Sequence, residues 1–270
     1  MKKKTWWKTL LVVFISVLHI IPLYITFIAS VKEMGDFTSY WIPPKIFFFH
    51  NYILALNDGG MLDALKNTIL ITAFSVVLIV TVGAMSAYPL ARNSSKLNNI
   101  IIILILGIMM VPPLSLLVPL YSFMAKLKAL STYWGITLIH LTFQLPLSIF
   151  LYSNFIKTIP MELDEAATID GCSIFSVFYK IVLPLLKPVT ATIIILSGVG
   201  VWNDYSFSLY FLQNPNMKVI TLAIAAFFAQ TGTNLNAAAA AALMAVLPIT
   251  IVYLSLQKYF VQGAIDSAIK

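Results

Sequence analysis

The residues best suited to chemistry form one acidic stretch in a strongly apolar chain. Four of the ten acidic residues of the sequence lie between Glu162 and Asp170. Long apolar segments flank this stretch, and alanines stand beside its carboxylates. Small side chains flanked by acids make a surface that a partner can approach closely. The composition therefore fits a docking element and an ordinary amphipathic connector on a membrane surface equally well.

Local signals predict two short helices around this stretch. The carboxylates that begin with Glu162 suit the positive end of a helix dipole. Gly171 stands where a left-handed C-terminal cap belongs. Ser173 can cap a second helix, which ends near Pro184. An isolated helix of about ten residues is marginal in water, so we expect tertiary or partner contacts to hold it.

Patterns for catalysis and for cofactor binding are absent from the sequence. It contains no nucleophile–base set and no Gly-rich phosphate loop with Lys, so the chain is not expected to bind ATP itself. His19 and His50 lack metal-ligand spacing. The single cysteine, Cys172, excludes an internal disulfide. His140 has no acidic neighbour in its own apolar segment, which favours a structural hydrogen bond over a proton relay.

The composition is that of a membrane protein. Hydrophobic residues make up 60% of the chain and charged residues 10%, whereas soluble domains carry about 25% charged residues. The net charge of +7 fits lysines that meet anionic lipid headgroups better than it fits nucleic-acid binding. The first apolar run exceeds the ~7–15-residue core of a signal peptide, so we expect a retained helix.

Six apolar segments reach the ~20 residues that a membrane-spanning helix needs. They lie at about 9–31, 67–90, 98–124, 134–156, 188–212 and 237–260. Pro112-Pro113 and Pro119 predict kinks in the third segment. The predicted fold is an all-α membrane protein with six transmembrane helices and a cytoplasmic helix–turn–helix between helices four and five.

The basic residues predict the orientation. With the N-terminus inside, the inner segments hold eleven of the seventeen Lys and Arg residues and the outer segments hold six. This bias favours both termini in the cytoplasm and puts the acidic stretch on the same side.

Seven residues in and after the acidic stretch resemble the EAA pattern of ABC-importer permeases. The pattern reads Glu-Ala-Ala, three residues, Gly, nine residues, Ile, one residue, Leu-Pro. The matching residues are Glu165, Ala166, Ala167, Gly171, Ile181, Leu183 and Pro184, with Asp170 before the glycine. Other stretches, including Tyr133-Trp134-Gly135 and the run from Gln257 to Gly263, resemble the smaller six-helix permease of maltose-type sugar transporters. The tail after Gly263 departs from the Gly-rich ending of that branch.

The resemblance implies one permease domain over residues 1–270, with an N-terminal helix at about 9–31, a permease core at about 67–260 and a coupling loop at 158–187. It implies a permease subunit of an ATP-driven importer for sugars or oligosaccharides in a bacterial cytoplasmic membrane. The implied partners are a second permease, two cytoplasmic ATPase subunits that hold ATP and Mg, and an extracytoplasmic sugar-binding protein. This chain itself is expected to bind no cofactor.

The resemblance also assigns roles to residues. Glu165 is implied to pair with a basic group of the ATPase, while Ala166, Ala167 and Gly171 permit close packing. The candidate translocation-path residues are Trp202, Asn203 and Asp204; sugar contact and an interhelical hydrogen bond with the partner permease are both open for them. The loop of Gln230, Thr231, Gly232, Thr233 and Asn234 resembles a loop that enters the sugar cleft of the binding protein, and a plain surface loop is the alternative.

The sequence disfavours two other classes of protein. A transporter driven by an ion gradient would need intramembrane acids or repeated broken helices, and the spans hold only Asp204 and show no inverted repeat. A membrane-embedded enzyme would need clustered His, Asp, Glu or Cys residues in the spans, and the sequence has no such cluster.

Overall fold

All regular structure in this protein is helical. The computed structural model describes residues 6–57, 60–229 and 234–268, and no β-strand occurs in those ranges. Four helices are long and apolar enough to cross a membrane: α1 (Trp6–Ser30), α3 (Met61–Arg92), α6 (Tyr133–Ile156) and, in α13 (Leu235–Ala268), the part Leu235–Gln257. Two bent helix pairs raise the number to six if each pair counts as one span: Lys96–Met109 with Pro113–Lys126, and Ile174–Leu185 with Lys187–Trp202. The predicted all-α membrane class is confirmed, with four to six candidate spans.

The third predicted segment consists of two arms that meet at 90°. The arms are α4 (Lys96–Met109) and, after a 3₁₀ turn (Pro113–Leu116), α5 (Leu117–Lys126). The bend lies at Pro112 and Pro113, where the missing N–H groups and the ring clashes stop the helix, so the kink predicted there is confirmed. Pro119 makes no separate break, because it lies in the first turn of α5, where the missing N–H costs little. The second predicted kink is wrong.

The fifth predicted segment is also broken. Helix α10 (Lys187–Trp202) ends before residue 203, and α11 (Ser206–Phe211) follows as a separate helix. The Asp204 carboxylate accepts hydrogen bonds from the N–H groups of Phe207 at 3.1 Å and Ser208 at 2.8 Å. These bonds cap α11 and replace the backbone bonds of a continuous helix. The uninterrupted helix predicted over 188–212 is therefore wrong.

The chain divides into two compact units. One contains the described residues of 1–65 and 220–248, and the other contains those of 66–219 and 249–270. The shorter helices of the first unit are α2 (His50–Asn57) and α12 (Ile220–Ala229). Those of the second are α7 (Glu162–Ile169), α8 (Ile174–Val177) and α9 (Leu183–Leu185). With ten residues, α12 is too short to span a bilayer, as the sequence predicts.

Helix α6 is the centre of the second unit and approaches its neighbours at glycines. It packs against α4, α10 and α11. A Cβ on Gly83 of α3 would lie 2.1 Å from the Ser148 hydroxyl of α6, and a Cβ on Gly200 of α10 would lie 2.5 Å from the Gln144 amide nitrogen. The Ser148 hydroxyl donates to the carbonyl of Ile79 at 3.2 Å. Small residues and polar side chains thus allow close helix contacts where hydrophobic burial gives no driving force in lipid.

In the first unit, two asparagine amides close the C-terminal end of α1. Asn51 Nδ2 donates to the carbonyls of Ser30 at 2.9 Å and Lys32 at 2.7 Å. Asn236 Nδ2 donates to the carbonyls of Ala29 and Lys32, both at 2.9 Å. The last carbonyls of a helix have no intrahelical donor. Here α2 and α13 each supply one.

Lys32 organises the loop that follows α1. Its side chain is fully buried, and its Nζ donates to the carbonyls of Thr38 and Ser39, each at 3.1 Å, and to the Thr38 hydroxyl. The Asp36 carboxylate lies 3.6 Å from the same Nζ. Hydrogen bonds from Thr38 hold the pKa of Asp36 below its ordinary value. A buried ammonium must find such partners, so the loop folds around it.

We expect Asn51→Ala to lower the thermal unfolding midpoint of the purified protein. The carbonyls of Ser30 and Lys32 would lose a buried donor, at a cost of about 1–3 kcal/mol. Asn57→Ala, at an exposed position of the same helix α2, is the matched control and should leave the midpoint unchanged. Equal midpoints for the two variants would contradict this account of the α1 end.

Candidate functional site

The predicted docking stretch folds into α7, and a glycine cap ends that helix. Gly171 has φ +84°, in the left-handed region where other residues are strained. Its N–H donates to the Thr168 carbonyl at 3.0 Å, and the Cys172 N–H donates to the Ala167 carbonyl at 2.9 Å. These two bonds satisfy carbonyls that the helix end leaves open. The left-handed cap predicted at Gly171 is confirmed.

Helix α7 has one face toward its own chain and one toward solvent. Asp164 and Ala167 are buried, and Ala167 is 6% exposed in a core cluster that includes Ile156 and Phe178. Within α7 and its cap, the exposed residues of the predicted motif are Glu165, Ala166, Asp170 and Gly171. The motif is therefore divided: Ala167 packs inside the chain, and the other four residues face outward.

A bidentate ion pair holds the inner face of α7. Arg92, the last residue of α3, donates from Nε to Asp164 Oδ2 and from Nη2 to Asp164 Oδ1, both at 2.9 Å. Arg92 Nη1 also donates to the carbonyls of Ile159 at 2.9 Å and Ile156 at 3.3 Å. The Tyr88 hydroxyl, one turn earlier in α3, donates to Asp164 Oδ2 at 2.8 Å. The guanidinium therefore joins the end of α3, the end of α6 and α7.

This ion pair is largely withdrawn from water, since each of the two side chains is 12% exposed. The planar guanidinium matches the two oxygens of a carboxylate, and the Tyr88 hydroxyl supplies a third donor to Asp164. Removing one partner of a buried pair costs about 3–5 kcal/mol, because the other charge stays buried without compensation. The pair thus fixes both the position and the orientation of α7.

Arg92 and Asp164 are candidate functional residues that the sequence did not predict. A signal existed, since Arg92 is the single arginine among seventeen basic residues and ends a span. Arginine is the preferred cation for buried bidentate pairs. However, the two partners are 72 residues apart, and no local pattern connects them.

The segment after the cap continues in three short helical pieces. They are α8, a π-helical turn (Phe178–Val182) and α9. The Ser173 hydroxyl accepts a hydrogen bond from the Ser176 N–H at 3.3 Å, which confirms the predicted cap. Ile181 and Leu183 pack, half-buried, against the core cluster, whereas Pro184 is exposed. Ile181 and Leu183 thus support the loop from within.

Exposed apolar side chains lie beside the acidic residues of α7. Ile169 is 86% exposed, and Ile174 and Phe175 are each 72% exposed. An open groove of about 670 Å³ lies between α7 and the end of α3. Its lining includes Ile169, Ile174, Arg92 and Glu165. Clustered apolar side chains with a polar rim mark interaction sites. We use the name α7 face for the exposed residues Glu165, Ala166, Ile169, Asp170, Gly171, Ile174 and Phe175.

The candidate path residues lie at the break between α10 and α11. Trp202 is buried, while Asn203 is exposed and donates from Nδ2 to the Val199 carbonyl at 3.0 Å. Asp204 accepts from the Ser208 hydroxyl at 2.7 Å in addition to its backbone bonds. Of the three residues, Asn203 is the one whose side chain is open to solvent.

His140 has an acidic neighbour after all, because the fold supplies it from another helix. His140 Nε2 lies 3.9 Å from Asp204 Oδ2, and the two side chains are 6% and 10% exposed. The Phe207 ring packs edge-on against the His140 ring and stacks on the Phe143 ring. These contacts attach the start of α11 to α6.

The predicted contact loop falls mostly outside the described residues, since Gln230, Thr231, Gly232 and Thr233 all do. Its last member, Asn234, accepts a hydrogen bond at Oδ1 from the Ala237 N–H at 3.0 Å and so caps the start of α13. Among the residues that the structure describes, no group of three or more His, Cys, Asp or Glu side chains is arranged to hold a metal ion.

Comparison with known proteins identifies the family. Residues 79–266 match the family described as the binding-protein-dependent transport system inner membrane component. The chain is 44% identical to the melibiose/raffinose/stachyose import permease protein MelC of Bacillus subtilis, over 97% of this chain and 95% of that protein. It is 33% identical to the multiple sugar-binding transport system permease protein MsmG of Streptococcus mutans, over 98% of this chain and 96% of that protein.

A solved structure shares the fold. It is the crystal structure of a bacterial ABC transporter involved in the import of the acidic polysaccharide alginate; one of its chains matches with a TM-score of 0.80 and 22% identity, over 96% of this chain and 98% of that chain. Because the family match covers more than half of the sequence and MelC is similar along nearly all of it, this multi-pass membrane protein belongs to the inner membrane components of binding-protein-dependent transport systems, a family of permease subunits and not of enzymes.

Proposed function

We propose that this chain is the permease subunit of an ATP-binding-cassette importer for sugars or oligosaccharides and forms half of a translocation pore. Membership of the transport family supports the role, and the names of MelC and MsmG support the substrate class. The observation that carries the proposal is the α7 face. It combines acids, small residues and exposed apolar side chains beside an open groove, as a docking site for a soluble partner requires.

The proposed topology has six spans: the four long helices, the bent pair of α4 and α5, and a fifth span formed by α10 together with α11. The 90° bend between α4 and α5 supports this count, since each arm is too short to cross alone but the two are long enough together. The 74° bend, between Ile174–Leu185 and Lys187–Trp202, separates the loop from the start of the fifth span. Both termini and the helix–turn–helix at 158–187 then face the cytoplasm of a bacterial cell, as the distribution of basic residues indicates. Residues 1–270 act as a single permease domain.

The proposed complex contains a second permease, two cytoplasmic ATPase subunits that bind ATP and Mg, and an extracytoplasmic sugar-binding protein. A second solved neighbour supports the last partner: it is an alginate ABC transporter in complex with an alginate pentasaccharide-bound periplasmic protein, with a TM-score of 0.66 and 14% identity, over 94% of this chain and 93% of that chain. The loop from Gln230 to Asn234 is our candidate contact with the binding protein.

The motif residues have two different roles in the proposed coupling. Glu165, Ala166, Asp170 and Gly171 face the ATPase, while Ala167, Ile181, Leu183 and Pro184 carry the loop. When the ATPase dimer closes, α7 moves with it, and the bundle changes between inward-open and outward-open states. The ATPase drives this change through its different contacts with the two states. Among the candidate path residues, Trp202 and Asp204 stabilise the break after α10, and Asn203 is available to a passing sugar.

Uptake should require the cognate ATPase. In proteoliposomes with the complete complex, we expect accumulation of radiolabelled raffinose to need ATP and to survive an ionophore that removes ion gradients. A gradient-driven carrier is the second candidate, because the buried His140–Asp204 pair is the kind of intramembrane acid site that it would use. Raffinose uptake by this chain without an ATPase, abolished by the ionophore, would establish that second candidate instead. Competition by unlabelled sugars then defines the substrate range.

Two adjacent alanines should respond differently to the same substitution. Ala166→Phe puts a bulky ring on the exposed α7 face and should abolish co-purification of the ATPase without lowering the thermal unfolding midpoint. Ala167→Phe overpacks the buried side and should lower the midpoint, at a cost of about 1–3 kcal/mol. If the Ala166→Phe variant still bound the ATPase fully, the α7 face would not be the docking site.

Thiol labelling tests the orientation. In a Cys172→Ala background, Phe37→Cys lies at a side chain that is 95% exposed, and Glu162→Cys lies at an exposed position at the start of α7. We expect a membrane-impermeant maleimide to label Phe37→Cys in intact spheroplasts and Glu162→Cys in inside-out vesicles. The reverse result would invert the proposed topology.

A further inference from the structure

Arg92 stands where three segments of the second unit meet. Its guanidinium binds the Asp164 carboxylate of α7 with two hydrogen bonds and the carbonyls of Ile156 and Ile159 with its third nitrogen. Ile156 is the last residue of α6, and Arg92 is the last residue of α3. A displacement of α7 therefore acts directly on the C-terminal ends of two long, apolar helices, α3 and α6.

The other contacts of α7 with its own chain differ in kind. Ala167 packs in the core cluster with Ile156 and Phe178, and a methyl group among aliphatic and aromatic side chains permits small sliding and rotation. The bidentate pair has a fixed plane and direction, and Tyr88 adds a third bond from α3 to the same carboxylate. The ion pair is therefore the contact best suited to transmit a movement without slip.

We infer that Arg92 and Asp164 are positioning residues that transmit the movement of α7 to α3 and α6, and that they are separate from the surface that binds the ATPase. This inference rests on the proposed function. It follows from the two faces of α7: Asp164 faces inward with 12% exposure, whereas Glu165 and Ala166 are exposed. Docking and transmission then depend on different residues of one helix.

The test compares uptake with ATP hydrolysis in the purified complex. In Asp164→Asn, the ATPase should still co-purify, but the sugar taken up per ATP hydrolysed should fall about tenfold, within the ~5–150-fold range of coupling between two sites. Asp164→Glu, which restores the carboxylate, should recover part of this ratio. Glu162→Gln, a matched amide substitution at an exposed position of the same helix, should leave the ratio unchanged.

Arg92→Lys keeps the test decisive if Asp164→Asn does not fold. It retains the charge but removes the planar fork and the simultaneous bonds to the carbonyls of Ile156 and Ile159, so the ratio should fall while ATPase binding persists. An unchanged ratio would overturn the inference, and so would a loss of ATPase binding in parallel with uptake, because the pair would then serve docking or folding. Failure of the unsubstituted complex to bind an ATPase would instead refute the proposed function.

Discussion

The structure around α7 depends on the ion pair between Arg92 and Asp164. This is the end of the second unit that we propose faces the cytoplasm. A short helix such as α7 has too few backbone bonds to be stable alone, and its buried face offers little apolar area beyond Ala167. A charged side chain next to a membrane span is itself costly unless it is paired. The two groups therefore stabilise each other. The carboxylate compensates the positive charge of the guanidinium, and the guanidinium holds α7 in place.

Polar side chains also satisfy backbone groups at other helix ends. Asn51 and Asn236 close the end of α1, Asn234 begins α13, and the Asp204 carboxylate begins α11. Backbone groups freed at a helix end must be satisfied inside the protein wherever water is scarce. Asn51 and Asn236 reach the end of α1 from distant parts of the sequence, whereas Asn234 and Asp204 cap the helices that follow them directly. The cap by Asp204 makes the break after α10 a stable feature of the bundle.

The arrangement of α7 explains how one short motif can serve two purposes. Its periodicity puts Asp164 and Ala167 on one side and Glu165, Ala166 and Asp170 on the other. The inner side follows the rules of a protein core, in which volume and charge compensation matter. The outer side follows the rules of an interface, in which small residues and exposed apolar groups matter. Adjacent residues of the motif are therefore constrained for different physical reasons.

Four features could be predicted from the sequence alone: the membrane class, the approximate positions of four long apolar helices, the bend at Pro112 and Pro113, and the glycine cap at Gly171. All of these follow from local causes: apolar length, a missing backbone donor and a positive φ. The contacts of Asp164 with Arg92 and of His140 with Asp204, and the burial of Ala167, became visible only in the folded chain. Those pairings join helices that are far apart in sequence, and the geometry of packing, which no local pattern encodes, determines which side chains meet.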